Sequence, residues 1–322
     1  MLLQNQSLIK YAGMTKTNYG YCCINMDLRE QKPSITTNRS MIKRTFVAKG
    51  MDYASELIVQ NVKDLRTIIK WNEANGLKLY RMSSDIMPWM SEYNISDLKD
   101  FKTIKTILED CGDLAREYGQ RITFHPGPFD VLASKNPNVV TKSIKDLNKH
   151  GEIFDLMGLP RTPYAAINIH VNTTQGGKEE CMQRFVDGFH ELDASVRTRL
   201  VVENDDKQKQ YATEDLYVGI HNKIGIPITF DYHHHWCHPG ELTQEEALKL
   251  ASTTWPKEIK QLCHYSSCKR IHEDATVMAR AHADYIYEFI DDYGLNLDIE
   301  LEAKAKERAV QKYVKQFATQ LV

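Results

Sequence analysis

The 322-residue sequence contains no apolar run near the ~18 residues that a membrane span needs. It opens Met1-Leu2-Leu3-Gln4-Asn5-Gln6, without a basic segment and a following apolar stretch, so no secretory signal is expected. Its seven cysteines (Cys22, Cys23, Cys111, Cys181, Cys237, Cys263 and Cys268) form no CxxC pair and no zinc-knuckle spacing. An odd, scattered set predicts reduced thiols buried as small hydrophobes, and hence an intracellular protein with no compartment singled out. No GxGxxG or Walker A sequence follows any strand-like run, which removes the usual phosphate loops. There is no low-complexity segment, no Pro- or Gly-rich linker and no short repeat. Positive excess is missing too: 41 Lys+Arg face 43 Asp+Glu, a net charge of −2. That argues against a protein that coats nucleic acid with a broad basic surface. With 42% hydrophobic and 26% charged residues, the chain is ordinary in composition and long enough for a sizeable core.

What is present is an alternation of strands and helices. Short apolar or β-branched runs occur at Tyr21–Met26, Leu77–Met82, Arg121–His125, Ala166–Val171, Leu200–Glu203, Ile226–Asp231, Gln261–Tyr265 and Leu297–Glu302. Several are nearly continuous, as expected of strands covered on both faces. Between them lie helical patterns. Ile58, Val62, Leu65 and Ile69 share one face, as do Ile104, Ile107, Leu108, Cys111, Leu114 and Ala115, with Gly119 as the stop. Asn136-Pro137 reads as a helix start, and Thr243-Gln244-Glu245-Glu246 as a capping box. Ala279, His282, Ala283, Ile286 and Ile290 predict another helix ending near Gly294, and the tail from Ala303 is helical in pattern. Eight such units predict an α/β fold, a single-domain (β/α)8 TIM barrel, with a doubly wound open sheet as the alternative. The domain spans residues 1–322, with a core of about 20–307, a short N-terminal extension and a C-terminal helix.

Ligand-type residues fall at one end of these strands. His125, His170, Glu203 and Asp231 end the third to sixth strands, His264 lies in the seventh, and Glu302 ends the eighth. In a barrel those strand ends share the active face. One histidine at a strand end is usually a hydrogen-bonded core or rim residue. Six successive strands delivering such residues at the same end point instead to a metal centre. Imidazole and carboxylate without thiolate favour Zn²⁺, Mn²⁺ or Fe²⁺ over Mg²⁺ or Ca²⁺. The number of ligands suggests more than one ion, an arrangement suited to phosphate-ester hydrolysis. In the run His233-His234-His235, strand alternation admits only alternate side chains inward, so His233, His235 and His238 read as solvated loop residues. His150, His190 and His221 fall in helical patterns, where surface or packing roles are expected, and His272 is not assigned.

From about Gly20 to Glu307 the chain resembles the ultraviolet damage endonucleases, barrels related in fold to endonuclease IV and xylose isomerase. The resemblance is carried by Gly20-Tyr21-Cys22-Cys23-Ile24-Asn25, Thr36-Thr37-Asn38-Arg39 and Tyr80-Arg81-Met82-Ser83-Ser84-Asp85. It continues through His125-Pro126-Gly127, Ile169-His170, Val202-Glu203-Asn204-Asp205 and Asp231-Tyr232-His233-His234. It ends with His264-Tyr265-Ser266-Ser267, Ala281-His282-Ala283-Asp284-Tyr285 and Glu302-Ala303-Lys304-Ala305-Lys306-Glu307. The resemblance implies His125, His170, Glu203, Asp231, His264 and Glu302 as metal ligands, and it adds His234 and His282. Of these, Glu203, Asp231, His264 and Glu302 would carry catalysis. It implies Tyr21 and Asn25 near a DNA lesion, with Phe129 wedging into the duplex; separately, Arg39 is a candidate backbone contact. Lys43, Arg44, Lys269 and Arg270 are further backbone candidates.

The chain departs from the family pattern in four places. Pro128-Phe129 stands where the family usually has Gln and an aromatic. Leu262 replaces a metal-site lysine two positions before His264. Glu92 replaces a histidine after the second strand. The stretch from Cys268 to Arg280 is long and lacks a glycine before Ala281-His282.

The expected activity is a divalent-metal-dependent, ATP-independent nick immediately 5′ to an ultraviolet photoproduct in double-stranded DNA. The expected protein is a monomer with no membrane partner, holding two or three ions, Mn²⁺ first, with Zn²⁺ or Mg²⁺ as alternatives. The competing readings are an abasic-site endonuclease, a sugar isomerase or epimerase on the same barrel, and a damage-binding protein that does not cleave. The resemblance also reinterprets the charge. Three divalent ions would add about six positive charges at the barrel mouth, so DNA binding is expected to depend on metal.

Overall fold

The computed structural model describes residues 17–321. The part of the expected N-terminal extension up to residue 16 lies outside the described residues. Eight parallel strands pair in sequence order and close on themselves. They are β1 (Asn18–Cys22), β2 (Leu79–Met82), β3 (Arg121–Phe124), β4 (Ile167–Ile169), β5 (Leu200–Glu203), β6 (Ile228–Asp231), β7 (Gln261–Tyr265) and β8 (Leu297–Leu301). Closure between β1 and β8, with Gly20 opposite Glu300, excludes the open-sheet alternative. All eight strand expectations hold, to within a few residues at each end.

Helices supply the outer layer. Helix α1 (Lys43–Ala74) is kinked at Gly50, whose φ of 64° and ψ of −160° are not helical. Helix α2 (Phe101–Glu117) buries Ile104, Ile107, Leu108, Cys111 and Ala115, the face read from sequence. Gly119, at φ 60°, takes the left-handed conformation that ends it. Helix α3 (Pro137–Leu156) starts on the Asn136 cap, whose side chain accepts from the Asn138 N–H. Helices α4 (Lys178–His190), α5 (Tyr232–Cys237), α6 (Gln244–Ser252) and α7 (Glu307–Gln316) follow, and α6 carries the expected Thr243–Glu246 capping box.

The barrel interior follows from strand alternation. Leu79, Ala166, Val201 and Leu262 form a small apolar cluster with Trp255, separate from the main core. Each sits two residues before an inward-pointing polar residue of the mouth, so the cluster lies one layer below it. Arg121 closes the other end. Its guanidinium pairs with Asp298 at 2.9 Å and donates to the carbonyls of Tyr164, Pro163 and Lys260. A buried charge this fully bonded meets the requirement for carrying it in a barrel.

Two local expectations fail. Residues 279–290 are not helical. Their apolar periodicity arises because Ile286 and Ile290 are buried against the core. The backbone bonds go to flanking segments instead of forming i→i−4 bonds: Lys269 N–H to Ala281 O, Ala283 N–H to Ser267 O, and Ala305 N–H to Asp284 O. The tail helix also begins at Glu307, not Ala303. The second failure is the histidine triplet. It lies in α5, capped by Asp231, whose carboxylate accepts from the His234 N–H at 2.7 Å. His233, His235 and His238 are buried rather than solvated. His150 is also buried, in a packing role against Phe124.

Candidate metal centre

The mouth of the barrel is organised around Glu203, which ends β5 and is fully buried. Oε1 lies 3.2 Å from His234 Nδ1 and 3.2 Å from His264 Nδ1. Oε2 lies 3.1 Å from His125 Nε2 and 3.5 Å from His170 Nε2, and accepts a hydrogen bond from Asn168. Register explains the convergence. Asp231 is paired with His264 across β6 and β7, and His264 with Glu300 across β7 and β8. Three groups gather ligand atoms within 4.8 Å of one another: His125–Glu203–His264, His170–Glu203–His234 and Asp231–His264–Glu302. Seven of the eight expected ligands belong to these groups. The eighth, His282, is beside them: its Nδ1 is 3.1 Å from Glu302 O and 3.4 Å from Glu302 Oε2.

The donor set fits divalent cations. Glu203 Oε1, Asp231 Oδ2 and His264 Nδ1 are buried and have no aligned hydrogen-bond partner. Buried polar atoms are normally paired, and several unpaired acceptors aimed at one small volume leave a place for positive charge. The protonation balance agrees. Burial pushes the Glu203 carboxyl up, but His264, His170, His125 and His234 outweigh it and hold it well below the usual carboxylate range. Burial likewise raises Glu302, and Arg81, His264 and His282 bring it well below normal. Burial lowers His264, yet Glu203, Glu300 and Glu302 push it up to about 10. In the metal-free chain, protons on imidazoles stand where cations would neutralise the same carboxylates.

Four participants are not evident in the sequence reading. Arg81 of β2 donates to Glu302 at 2.5 Å. Glu300 sits behind His264, Asp205 lies 3.0 Å from His170 Nδ1, and Asn168 bonds Glu203. For three of them the signal was parity: Asn168, Asp205 and Glu300 share the inward phase of His170, Glu203 and Glu302.

The residues expected to meet DNA divide sharply. Phe129 is 87% exposed, in the loop after β3. It borders a cleft of about 690 Å³ shared with Met41, Ser84, Trp89 and Asp130. Tyr21 and Asn25 are buried, and Asn25 donates to the Tyr21 hydroxyl. Tyr21 alternates with inward-facing Cys22, so its ring packs on Tyr80 outside the barrel. Arg39 is committed to its own loop, paired with Asp64 at 2.7 Å and donating to Thr36 O and Ser34 O. Lys269 pairs with Asp284 and Glu273, while Lys43, Arg44 and Arg270 are exposed. Leu262 lies in the apolar layer below His264, and Glu92 is exposed in a surface turn, so neither supplies a ligand. All seven cysteines are unpaired, and no helix among the described residues is long and apolar enough to cross a membrane.

The chain is similar to several known proteins. The UV-damage endonuclease of Schizosaccharomyces pombe is 33% identical over 309 residues, covering 94% of this chain and 51% of that protein. This chain thus spans about half the length of that relative. The UV DNA damage endonuclease of Bacillus cereus (strain G9842) is 32% identical over 306 residues, covering 92% and 93%. The crystal structure of SacUVDE superposes with a TM-score of 0.80 at 28% identity, covering 94% of this chain and 99% of that one. The family described as UV-endonuclease UvdE matches residues 17–321, and the chain belongs to that family.

Proposed function

We propose that this chain is a metal-dependent DNA repair endonuclease that cuts the phosphodiester immediately 5′ to an ultraviolet photoproduct, without ATP, leaving a 3′-hydroxyl. Family membership supports a UV-damage endonuclease. The observation that carries the metal dependence is Glu203, whose two oxygens face four imidazoles, three from β3, β4 and β7 or their ends and one from α5 after β6. Such a carboxylate is placed to bridge ions. His170 and His234 would complete one position, Asp231, His264 and Glu302 a second, and His125 would adjoin both. Two or three ions, Mn²⁺ first, suit this oxygen and imidazole set. When bound, they would supply Lewis-acid charge on the scissile phosphate and activation of the attacking water.

The protein's own part is positioning. Glu203 holds the imidazoles in one cluster, Asp231 and Glu302 hold its far side, and Arg81 keeps Glu302 in place. Phe129 would enter the gap where damaged nucleotides leave the stack. Damaged duplex bends and unpairs more cheaply than intact duplex, so deformation supplies selectivity. Pro128 beside it offers no amide to read a base, which favours selection by shape and admits abasic sites as substrates.

The test is an end-labelled duplex carrying one photodimer or one abasic site, incubated with the protein and Mn²⁺. A nick immediately 5′ to the dimer is expected, abolished by EDTA. Intact dimer substrate with folded, Mn²⁺-supplied protein refutes the proposal. Cleavage of the abasic duplex alone assigns the narrower activity.

A further inference from the structure

We propose that Glu300 and Arg81 are positioning residues of this centre: Glu300 accepts a hydrogen bond from the outer ring N–H of His264, and Arg81 ties Glu300 to Glu302. The inference rests on the metal-dependent reading above and concerns two residues outside its ligand set.

Glu300 points inward from β8, one layer below Glu302, and is fully buried. Its Oε1 accepts from Thr123 Oγ1 across the barrel. Its Oε2 has no aligned donor, and 3.1 Å away lies His264 Nε2, equally buried and equally without an aligned partner. Two buried polar atoms at that distance are each other's natural partner, and a small turn of the ring aligns them. The opposite ring atom, His264 Nδ1, lies 3.2 Å from Glu203 Oε1 and 3.6 Å from Glu302 Oε1. The imidazole therefore spans two layers of carboxylate.

A neutral imidazole has one N–H and one lone pair. A metal needs the lone pair on the nitrogen that faces the cluster, here Nδ1. A carboxylate behind Nε2 selects that tautomer and fixes the ring plane. Arg81 then links the layers. Its Nη1 is 2.5 Å from Glu302 Oε1 and 3.6 Å from Glu300 Oε2. With Leu262 contributing no ammonium from β7, the guanidinium from β2 brings fixed positive charge to this side of the cluster. Asp205, 3.0 Å from His170 Nδ1, repeats the carboxylate half of the device two residues past β5.

The experiment titrates Mn²⁺ calorimetrically into the metal-free full chain, with thermal unfolding of the metal-free protein run in parallel. Glu300→Ala should weaken Mn²⁺ binding about 10- to 100-fold, the usual loss for a carboxylate behind a ligating histidine. Glu300→Gln keeps a carbonyl that accepts the Nε2 proton and should recover most of that loss. Arg81→Lys keeps the charge but not the fork, and should weaken binding less than Arg81→Met. A Glu300→Ala protein that folds and binds Mn²⁺ with wild-type affinity overturns the proposal, even where its unfolding temperature has dropped. If Glu300→Ala does not fold, Glu300→Asp carries the test, since the shorter side chain withdraws from His264. Wild-type affinity in Glu300→Asp overturns it too. A wild-type chain that takes up no Mn²⁺ refutes the metal-dependent reading and this inference together, a pattern distinct from variant-specific failure.

Discussion

Tyr21 Oη donates a 2.7 Å hydrogen bond to Asn72 Oδ1, joining the end of β1 to the far end of α1 behind the barrel wall. Asn25 completes the link. Its Nδ2 donates to the same phenol at 3.1 Å, and its Oδ1 accepts from the Leu28 N–H at 2.9 Å. All three side chains are buried. The pair expected near a DNA lesion forms a buried, hydrogen-bonded brace beside the first strand end.

Tyr21→Phe should therefore act on stability. Removing the hydroxyl leaves Asn72 and Asn25 without a buried partner, a loss of about 1–3 kcal/mol. Affinity for a photodimer duplex should stay within about twofold. Chemical denaturation and a fluorescence binding titration check both halves. A large loss of DNA affinity with unchanged stability would return Tyr21 to the lesion.

Phe129 should behave in the opposite way. Exposed side chains away from special features change stability by about 0.5 kcal/mol or less. Base–aromatic stacking contributes about 1–3 kcal/mol. Phe129→Ala should leave unfolding unchanged and weaken binding to the damaged duplex by about 5- to 150-fold. Binding to intact duplex should change much less. Phe129→Trp should retain most of the discrimination.

The contrast shows what the sequence could and could not convey. Strand ends were legible because β-strands alternate and barrels place their C-terminal ends on one face. That logic brought His125, His170, Glu203, Asp231, His264 and Glu302 together across wide sequence separations. Phase within a strand carries information too: Glu300 lies on the phase of Glu302, one layer deeper, and alternation alone places it beside the ligands. The turn that follows β6 was not legible. Asp231 caps a helix there, so His233 and His235 turn into the protein rather than out to solvent. The stretch 279–290 misled because burial of Ile286 and Ile290 by a loop mimics a helical period.

Asp130 gives a pH prediction beside the exposed Phe129. Burial, then the charge of Asp146 and a hydrogen bond with it, push the Asp130 carboxyl up to about 9. In the unfolded chain it titrates near the ordinary value of about 3.9. The folded state therefore keeps a proton that the unfolded state releases. This contribution to stability is complete below about pH 4 and is lost progressively as pH rises towards 9. Asp130→Asn carries no such proton, and its amide can donate to Asp146. The variant should match wild type at pH 4. At pH 8 it should be more stable by at least about 1.4 kcal/mol, one unit of pKa. Denaturation at several pH values measures the difference. Parallel pH profiles for the two chains would show that Asp130 ionises normally.

Metal removal tests how a chain of net charge −2 holds DNA. Glu203, Asp231, Glu300 and Glu302 put four carboxylates at or just below the barrel mouth, with Arg81 as their close guanidinium partner. Without cations, imidazole protons and Arg81 do no more than offset those carboxylates. Two divalent ions bring about four positive charges to the same spot, more than the imidazole protons they displace, and leave it locally positive. EDTA should therefore weaken binding to damaged duplex by at least about tenfold at low salt, and Mn²⁺ should restore it. It should also lower unfolding stability, by about 2.7 kcal/mol relative to Mn²⁺ at a hundredfold excess over its dissociation constant. Glu203→Gln separates the two effects. The amide keeps the volume but cannot bridge ions, so nicking should fall at least about 100-fold, beyond the usual loss for an outer carboxylate. DNA binding in that variant should no longer respond to Mn²⁺. Binding that stays strong in EDTA, or that responds to Mn²⁺ equally in wild type and Glu203→Gln, would place the DNA-binding charge elsewhere, with exposed Lys43, Arg44 and Arg270 as the groups to remove next.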